Sequence, residues 1–182
     1  MDISLLRKVP LFEVLKDEDL EAIARVTISR SYDKDQVIIL AEEEGDALFI
    51  IAHGQVKVSI VSEDGREVIL SLLGEGAVFG ELSLLDGKPR SANVVATQDM
   101  ELYMVRRADF LQLIYKVPQI AVGLLAELAA RLRKTDRKIE GLALLDVTSR
   151  ISETLLQLAD EQGTEIELGV TLASRPTHQQ LA

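Results

Sequence analysis

The segment FGELSLLDGKPRSA, residues 79–92, combines the residue types that a binding loop for a small anion requires. Gly80 lets the backbone approach a ligand closely, and residues 81–85 can form one helical turn whose free N–H groups suit an anion. Arg90 offers a planar fork of donors for phosphate oxygens, with the Ser91 hydroxyl beside it. Glu81 can accept a hydrogen bond from a sugar hydroxyl. These features predict a cradle for a compact sugar phosphate, although a surface turn with a solvated arginine explains the same residues.

The chain around this segment, from about residue 31 to residue 106, has the pattern of a β domain. Turns rich in Gly and Asp separate six short runs that are rich in Val and Ile. The runs are VIILA (37–41), ALFIIA (47–52), VKVSIV (56–61), EVILSLL (67–73), ANVVAT (92–97) and ELYMV (101–105). Six short strands at near-regular spacing predict a sandwich or a rolled barrel. Glu63-Asp64-Gly65 is typical of a hairpin turn.

Helical patterns flank the predicted strands. Short helices are expected before residue 30 and over residues 109–115, and a long helix is expected to start at Pro118. Its apolar seam alternates steps of four and three for about three heptads, through Ala121, Leu125, Leu128, Leu132, Thr135, Ile139 and Leu142. That repeat is typical of two helices wound together, so it predicts a homodimer. The alternative is a single amphipathic helix lying on its own domain.

The last forty residues indicate the start of another domain. Asp146 is expected to cap a helix from Val147 to about Glu161, which Gly163 ends. One short strand is expected over residues 164–172. Thr177 and Gln180 then form a capping box, so a further helix is expected to begin there. Because so short a helix is unstable alone, we expect the natural protein to continue beyond Ala182.

Composition narrows the class of protein. The 182 residues are 47% hydrophobic and 27% charged, as in ordinary globular domains. The net charge of −10, taken alone, argues against a nucleic-acid-binding surface on this chain. The chain has no Cys, which suits a reducing cytosol. No targeting segment or apolar run of membrane-spanning length is visible, so we expect a soluble, cytoplasmic protein that does not bind membranes.

Catalytic and metal-binding patterns are poor. The glycines at 74, 76 and 80 do not fit a dinucleotide-binding motif, because that motif needs glycine at position 79, which is Phe. His53 and His178 lie far apart in the sequence, and no G-x-S-x-G motif occurs. The sequence therefore predicts neither an enzyme nor a metal site.

Segment 79–92 resembles the phosphate-binding cassette of cyclic-nucleotide-binding domains. More broadly, residues 10–182 are similar to the cyclic-AMP-type branch of the cyclic-AMP receptor and fumarate-nitrate regulator superfamily of bacterial transcription regulators. The turn at residues 45–48, the pair His53-Gly54 and the segment at residues 144–151 carry the same resemblance. It implies an α+β fold: a jelly-roll-like cyclic-nucleotide-binding β-roll with flanking helices, a long dimerisation helix and the start of a winged helix-turn-helix domain. The implied boundaries are 1–118 for the sensor, 119–145 for the dimerisation helix and 146–182 for an incomplete DNA-binding domain.

The resemblance also implies roles for residues of the cassette. Gly80 and Glu81 would meet the ribose, with Glu81 binding its 2′-hydroxyl. Arg90 and Ser91 would hold the cyclic phosphate. Apolar residues would line the sugar and base walls, namely Leu82, Val58 and Leu70.

The resemblance implies that two residues of the long helix also reach the ligand, and one turn residue departs from the family. Thr135 lies where family members contact the adenine amino group, and Asp136 replaces a Ser that reaches the same base across the dimer. Thr135 could instead be a seam residue without a ligand, and Asp136 a partner for Arg133 or Lys138. A buried charge at Asp136 would be costly unless it is well satisfied. Glu42 stands where many members have Gly, which affects the geometry of that turn.

The function implied by the resemblance is that of a homodimeric regulator that responds to cyclic AMP. The ligand would reposition the C-terminal DNA-binding domains through the helix 119–145, and DNA and RNA polymerase would be the partners. The recognition helix is expected to lie outside this chain. Alternatives are a family member that answers to cyclic GMP or cyclic di-GMP, a nucleotide-sensing module that acts on a partner protein, and a phosphodiesterase. Redox or haem sensing is disfavoured because the chain has no Cys and His53 is the only histidine in the roll.

Overall fold

A computed structural model describes residues 3–166 and 169–172. It divides into two compact units, Met1–Leu128 and Ala129–Ala182, with the boundary inside the long helix. The division predicted at residues 118 and 145 therefore stays a prediction. The capping box at Thr177 and Gln180 lies outside the described residues.

The first unit is a β-roll built from two antiparallel sheets, and this confirms the predicted fold class. In the described part of this unit each sheet has four strands, ordered β1-β8-β3-β6 and β2-β7-β4-β5. The strands are β1 (Thr27–Tyr32), β2 (Val37–Ile39), β3 (Ala47–His53), β4 (Val56–Val61), β5 (Glu67–Leu73), β6 (Val78–Phe79), β7 (Asn93–Ala96) and β8 (Met100–Arg106). The expected hairpin turn joins β4 to β5, with Gly65 at φ 81°.

The prediction of six strands was wrong by two, because β1 and β6 were not recognised. β1 reads TISRSY and β6 has two residues. Neither contains the run of Val and Ile on which the prediction rested. β1 is instead fixed by its full-length antiparallel pairing with β8, which shows that tertiary context overrides weak local propensity in strands.

Helices surround the roll and continue into the second unit. They are α1 (Ile3–Leu6), a 3-10 turn (Pro10–Phe12), α2 (Asp17–Val26), α3 (Glu81–Asp86), α4 (Arg107–Lys116), α5 (Gln119–Leu144) and α6 (Val147–Gln162). Asp146 caps α6 as expected, because its carboxylate accepts a hydrogen bond from Ser149 N at 2.8 Å. The single strand expected after α6 is a hairpin of β9 (Gly163–Ile166) and β10 (Gly169–Leu172).

The core of the first unit has two parts that share β3. All of β3 except its last residue is buried, and this explains why it reads as a continuous apolar run rather than an alternating one. Leu48 and Ile50 face a cluster formed with the helices. Phe49 and Ile51 face the cluster inside the roll. β3 therefore packs against both clusters at once.

Helix length and composition bear on the membrane question. Among the described residues, no single helix is long and apolar enough to cross a membrane. Within the described ranges, one bent pair, α4 and α5 at 112°, reaches that length and composition when taken together.

Glu42 has an unusual backbone conformation in the turn between β2 and β3. Glu42 has φ 67°, in the left-handed region, where a residue other than glycine costs roughly 1–2 kcal/mol. Glycine loses about 0.5–1 kcal/mol more in backbone entropy on folding. We therefore expect Glu42→Gly to raise the free energy of unfolding by up to about 1 kcal/mol in a urea titration.

Glu43→Gly is the control for that substitution. Glu43 is also exposed but has no positive φ, so its change to glycine should be neutral or destabilising. Equal effects of the two substitutions would contradict the assignment of strain to Glu42.

Candidate functional site

Arg90 is buried between Gly80, in its own segment 79–92, and the turn at residues 45–48. The residue is 7% exposed. Its Nη1 and Nη2 atoms donate to the carbonyls of Gly80 at 2.7 Å and Ala47 at 2.8 Å. Its backbone is also held, because Arg90 N donates to Glu43 O at 2.8 Å and Glu42 N donates to Arg90 O at 2.9 Å. The position of the guanidinium is thus set from both ends of the residue.

An aromatic ring and two acidic groups lie near the guanidinium of Arg90. The Cζ atom of Arg90 lies 6.0 Å from the ring centroid of Phe49. Burial lowers the pKa of Arg90 from its usual value, and the charges of Asp46 and Glu81 act against that shift. Because an arginine starts from so high a pKa, the group keeps its positive charge. The site can therefore attract an anion.

The short helix predicted over residues 81–85 is present as α3 (Glu81–Asp86). It follows Gly80, whose φ of 79° favours glycine. Glu81 is the first residue of α3 and is buried, with 4% of the residue exposed. Leu84 is fully buried in the cluster that contains the helices. Arg107, the first residue of α4, donates from Nε to the carbonyl of Leu84 at 2.8 Å, so α3 is tied to α4.

The predicted wall residues of the roll lie on the hairpin of β4 and β5. Val58 is partly buried against the interior cluster. It pairs with Ser71, whereas Ser59 pairs with Ile69, so Leu70 is the extra residue of a β-bulge. Leu70 is 41% exposed. Ile60 and Val68 pair directly, and Ile60 lies two residues after Val58 on the same face of β4.

The remaining predicted site residues are exposed. Leu82 lies on α3, and Ser91 follows Arg90 in the cassette. Thr135 and Asp136 lie on α5 in the second compact unit, where the Thr135 hydroxyl donates to the carbonyl of Arg131 at 3.0 Å. The structure thus brings Gly80, Glu81 and Arg90 together. An approach of Thr135 and Asp136 to this cradle stays a prediction.

Sequence reasoning missed the turn before β3 as a part of the site. Ala47 supplies an acceptor for Arg90, Asp46 supplies a nearby charge, and Phe49 supplies the adjacent ring. The turn at residues 45–48 was recognised only as part of a resemblance. A main-chain acceptor leaves no signature in residue types, so no spacing rule could have identified Ala47.

Comparison with known proteins assigns the family. Residues 29–116 match the model of the cyclic nucleotide-binding domain. The chain is 38% identical over 149 residues to the cyclic AMP receptor protein of Thermus thermophilus, which covers 82% of this chain and 69% of that protein. This chain belongs to the cyclic AMP receptor protein family. The resemblance inferred from the cassette is thereby confirmed.

Solved structures of the family have the same fold. The catabolite activator protein of Thermus thermophilus superposes with a TM-score of 0.69 at 37% identity, over 84% of this chain and 71% of that one. The cyclic di-GMP-responsive regulator CLP of Xanthomonas campestris superposes with a TM-score of 0.72 at 26% identity, over 80% and 73%. The chain spans only part of the length of its relatives. It covers 62% of the regulator from Pasteurella multocida.

Proposed function

We propose that this chain acts in a homodimeric transcription regulator that binds cyclic AMP, and that it is not an enzyme. The observation that carries the proposal is the position of Arg90. Its charged fork is buried beside Glu81, in the cassette of a cyclic nucleotide-binding domain. The receptor activity of the Thermus relative supports the choice of cyclic AMP.

The cradle suits a cyclic nucleotide for chemical reasons. Arg90 keeps hydrogens beyond the two that it gives to carbonyls, because a guanidinium has five N–H donors. Those donors and the Ser91 hydroxyl would hold the cyclic phosphate. The Glu81 carboxylate would accept the ribose 2′-hydroxyl beside Gly80, and Val58, Leu70 and Leu82 would contact the sugar and base.

The long helix supports the proposed dimer. Ile120 and Leu124 are buried against the core of the first unit, and the seam residue Leu128 packs partly against the same core. Four members of the predicted seam are 59% to 66% exposed, namely Leu125, Leu132, Ile139 and Leu142. A row of large apolar side chains at heptad spacing fits a second copy of the same helix.

The proposed output is a change in the arrangement of DNA-binding domains. Thr135 and Asp136 would meet the adenine from α5, so ligand binding would favour one arrangement of the helix pair. A ligand can shift that balance only by its difference in affinity for the two arrangements. DNA and RNA polymerase would be the partners of the whole protein.

Titration calorimetry with cyclic AMP tests the proposal directly. We expect one site per chain, and thermal stabilisation that grows with ligand concentration as the logarithm of [L]/Kd. The absence of both heat and stabilisation at millimolar cyclic AMP would overturn the proposal.

Size-exclusion chromatography with light scattering tests the proposed dimer. A molar mass of one chain at high protein concentration would contradict it.

A second candidate is a regulator of the same family that answers to a different nucleotide. Asp136 favours it, because this residue departs from the Ser of the cyclic-AMP-type branch. The similarity to the cyclic di-GMP-responsive regulator shows that this fold serves more than one ligand. Competition of cyclic GMP and cyclic di-GMP against bound cyclic AMP separates the two candidates, since only the true effector should bind tightest.

A further inference from the structure

Gly45 lies directly against the side chain of Arg90. A Cβ atom built on Gly45 would be 2.1 Å from Nε, 2.3 Å from Cζ and 2.7 Å from Cδ of Arg90, and real Cβ contacts essentially never fall below 3.0 Å. Gly45 is not among the residues with positive φ. Glycine is therefore required at this position by space rather than by backbone conformation.

The Arg90 side chain has little freedom to move away from a new atom at position 45. Its two Nη atoms donate hydrogen bonds to the carbonyls of Ala47 and Gly80. A Cβ on Gly80 would also lie 2.7 Å from Nη1. The Phe49 ring lies near the guanidinium. Any side chain at position 45 would displace the guanidinium from at least one carbonyl, or would force the turn before β3 to shift.

We propose that Gly45 is a positioning residue for the anion site, because its missing side chain leaves the slot through which Arg90 reaches both carbonyls. Gly45 makes no ligand contact in this proposal and acts only through Arg90. The inference rests on the proposed function for its effect on ligand binding. The slot itself is a property of the protein without ligand.

The first test measures affinity for cyclic AMP by calorimetry. Removing the Arg90 fork from its place loses charged hydrogen bonds, so we expect Gly45→Ala to weaken binding by roughly 10-fold and Gly45→Val by roughly 100-fold. Gly74→Ala is the control. Gly74 also lies in a turn without positive φ, and a Cβ there would meet nothing within 4 Å. The affinity of the Gly74→Ala variant for cyclic AMP should stay within about twofold of the wild type.

The second test is a double-mutant cycle with Arg90→Ala, measured by thermal unfolding without ligand. Arg90→Ala removes the three atoms that a Cβ at position 45 would meet. We expect Gly45→Ala to lower the unfolding temperature when Arg90 is present and to leave it unchanged or slightly raised when Arg90 is alanine, because the pair is coupled. A glycine with a purely local backbone role would give the same shift in both backgrounds.

The outcomes separate the two proposals. Equal shifts of the unfolding temperature in both backgrounds, or wild-type affinity of Gly45→Val, would overturn the positioning role. A wild-type chain that binds no cyclic nucleotide would overturn the proposed function. The unfolding cycle would still decide whether the Gly45 slot holds Arg90, since it needs no ligand.

Discussion

Replacing Arg90 with leucine is expected to lower the affinity for cyclic AMP by about two orders of magnitude or more, because charged hydrogen bonds contribute roughly 1.5–3 kcal/mol each and the fork makes two at once. The substitution also removes the positive charge that is proposed to face the phosphate. Calorimetric titration of the wild type and the variant measures the difference. Circular dichroism should show that the variant remains folded.

Arg106→Leu is the matched control for this substitution. Arg106 ends β8, is exposed, and pairs with Ala47 through its backbone. Its loss therefore changes the net charge equally and leaves the main-chain acceptor of Arg90 in place. We expect the affinity of the Arg106→Leu variant for cyclic AMP to stay within a factor of about three of the wild type. If Arg90→Leu bound cyclic AMP as well as Arg106→Leu does, the phosphate would have to lie elsewhere.

Leu84→Ala should lower the free energy of unfolding by about 2–5 kcal/mol, because a fully buried leucine leaves a cavity when it is truncated. Leu84 is 0% exposed and packs with residues of β3, α4 and α5. Urea unfolding followed by circular dichroism measures the change. Leu84 also belongs to α3, so the helix that carries Glu81 should loosen, and the affinity for cyclic AMP should fall as well.

Leu85→Ala tests whether this effect comes from packing rather than from helix propensity. Leu85 is the next residue of the same helix but is 40% exposed. Its truncation should cost less than about 1 kcal/mol. A similar loss of stability in both variants would show that α3 is not anchored by Leu84.

Much of the fold could be predicted because apolar patterns report burial. The strands with runs of Val and Ile, the cap at Asp146 and the long helix from residue 119 were all found. β1 was not found, because its polar sequence becomes a strand only by pairing with β8. The sequence predicts one strand over residues 164–172 because the whole segment is β-forming, whereas the structure pairs β9 and β10 as two antiparallel strands.

The candidate site could be predicted where side chains carry the chemistry. Gly80, Glu81 and Arg90 meet in the structure, as the cassette indicated. The acceptors on Ala47 and Gly80 are main-chain atoms, and the space at Gly45 is defined only by the path of Arg90. These features depend on which distant strands become neighbours, and residue types do not encode that directly.

The bond between Arg90 and Ala47 joins residues that are 43 positions apart in the chain. A synthetic peptide copied from residues 79–92 would contain the arginine but not the turn at 45–48 that orients it. Grafting the cassette into an unrelated scaffold would fail for the same reason, unless the turn were transplanted at the same distance. The unit that must be moved to transfer binding is thus a pair of strand connections, not a linear motif.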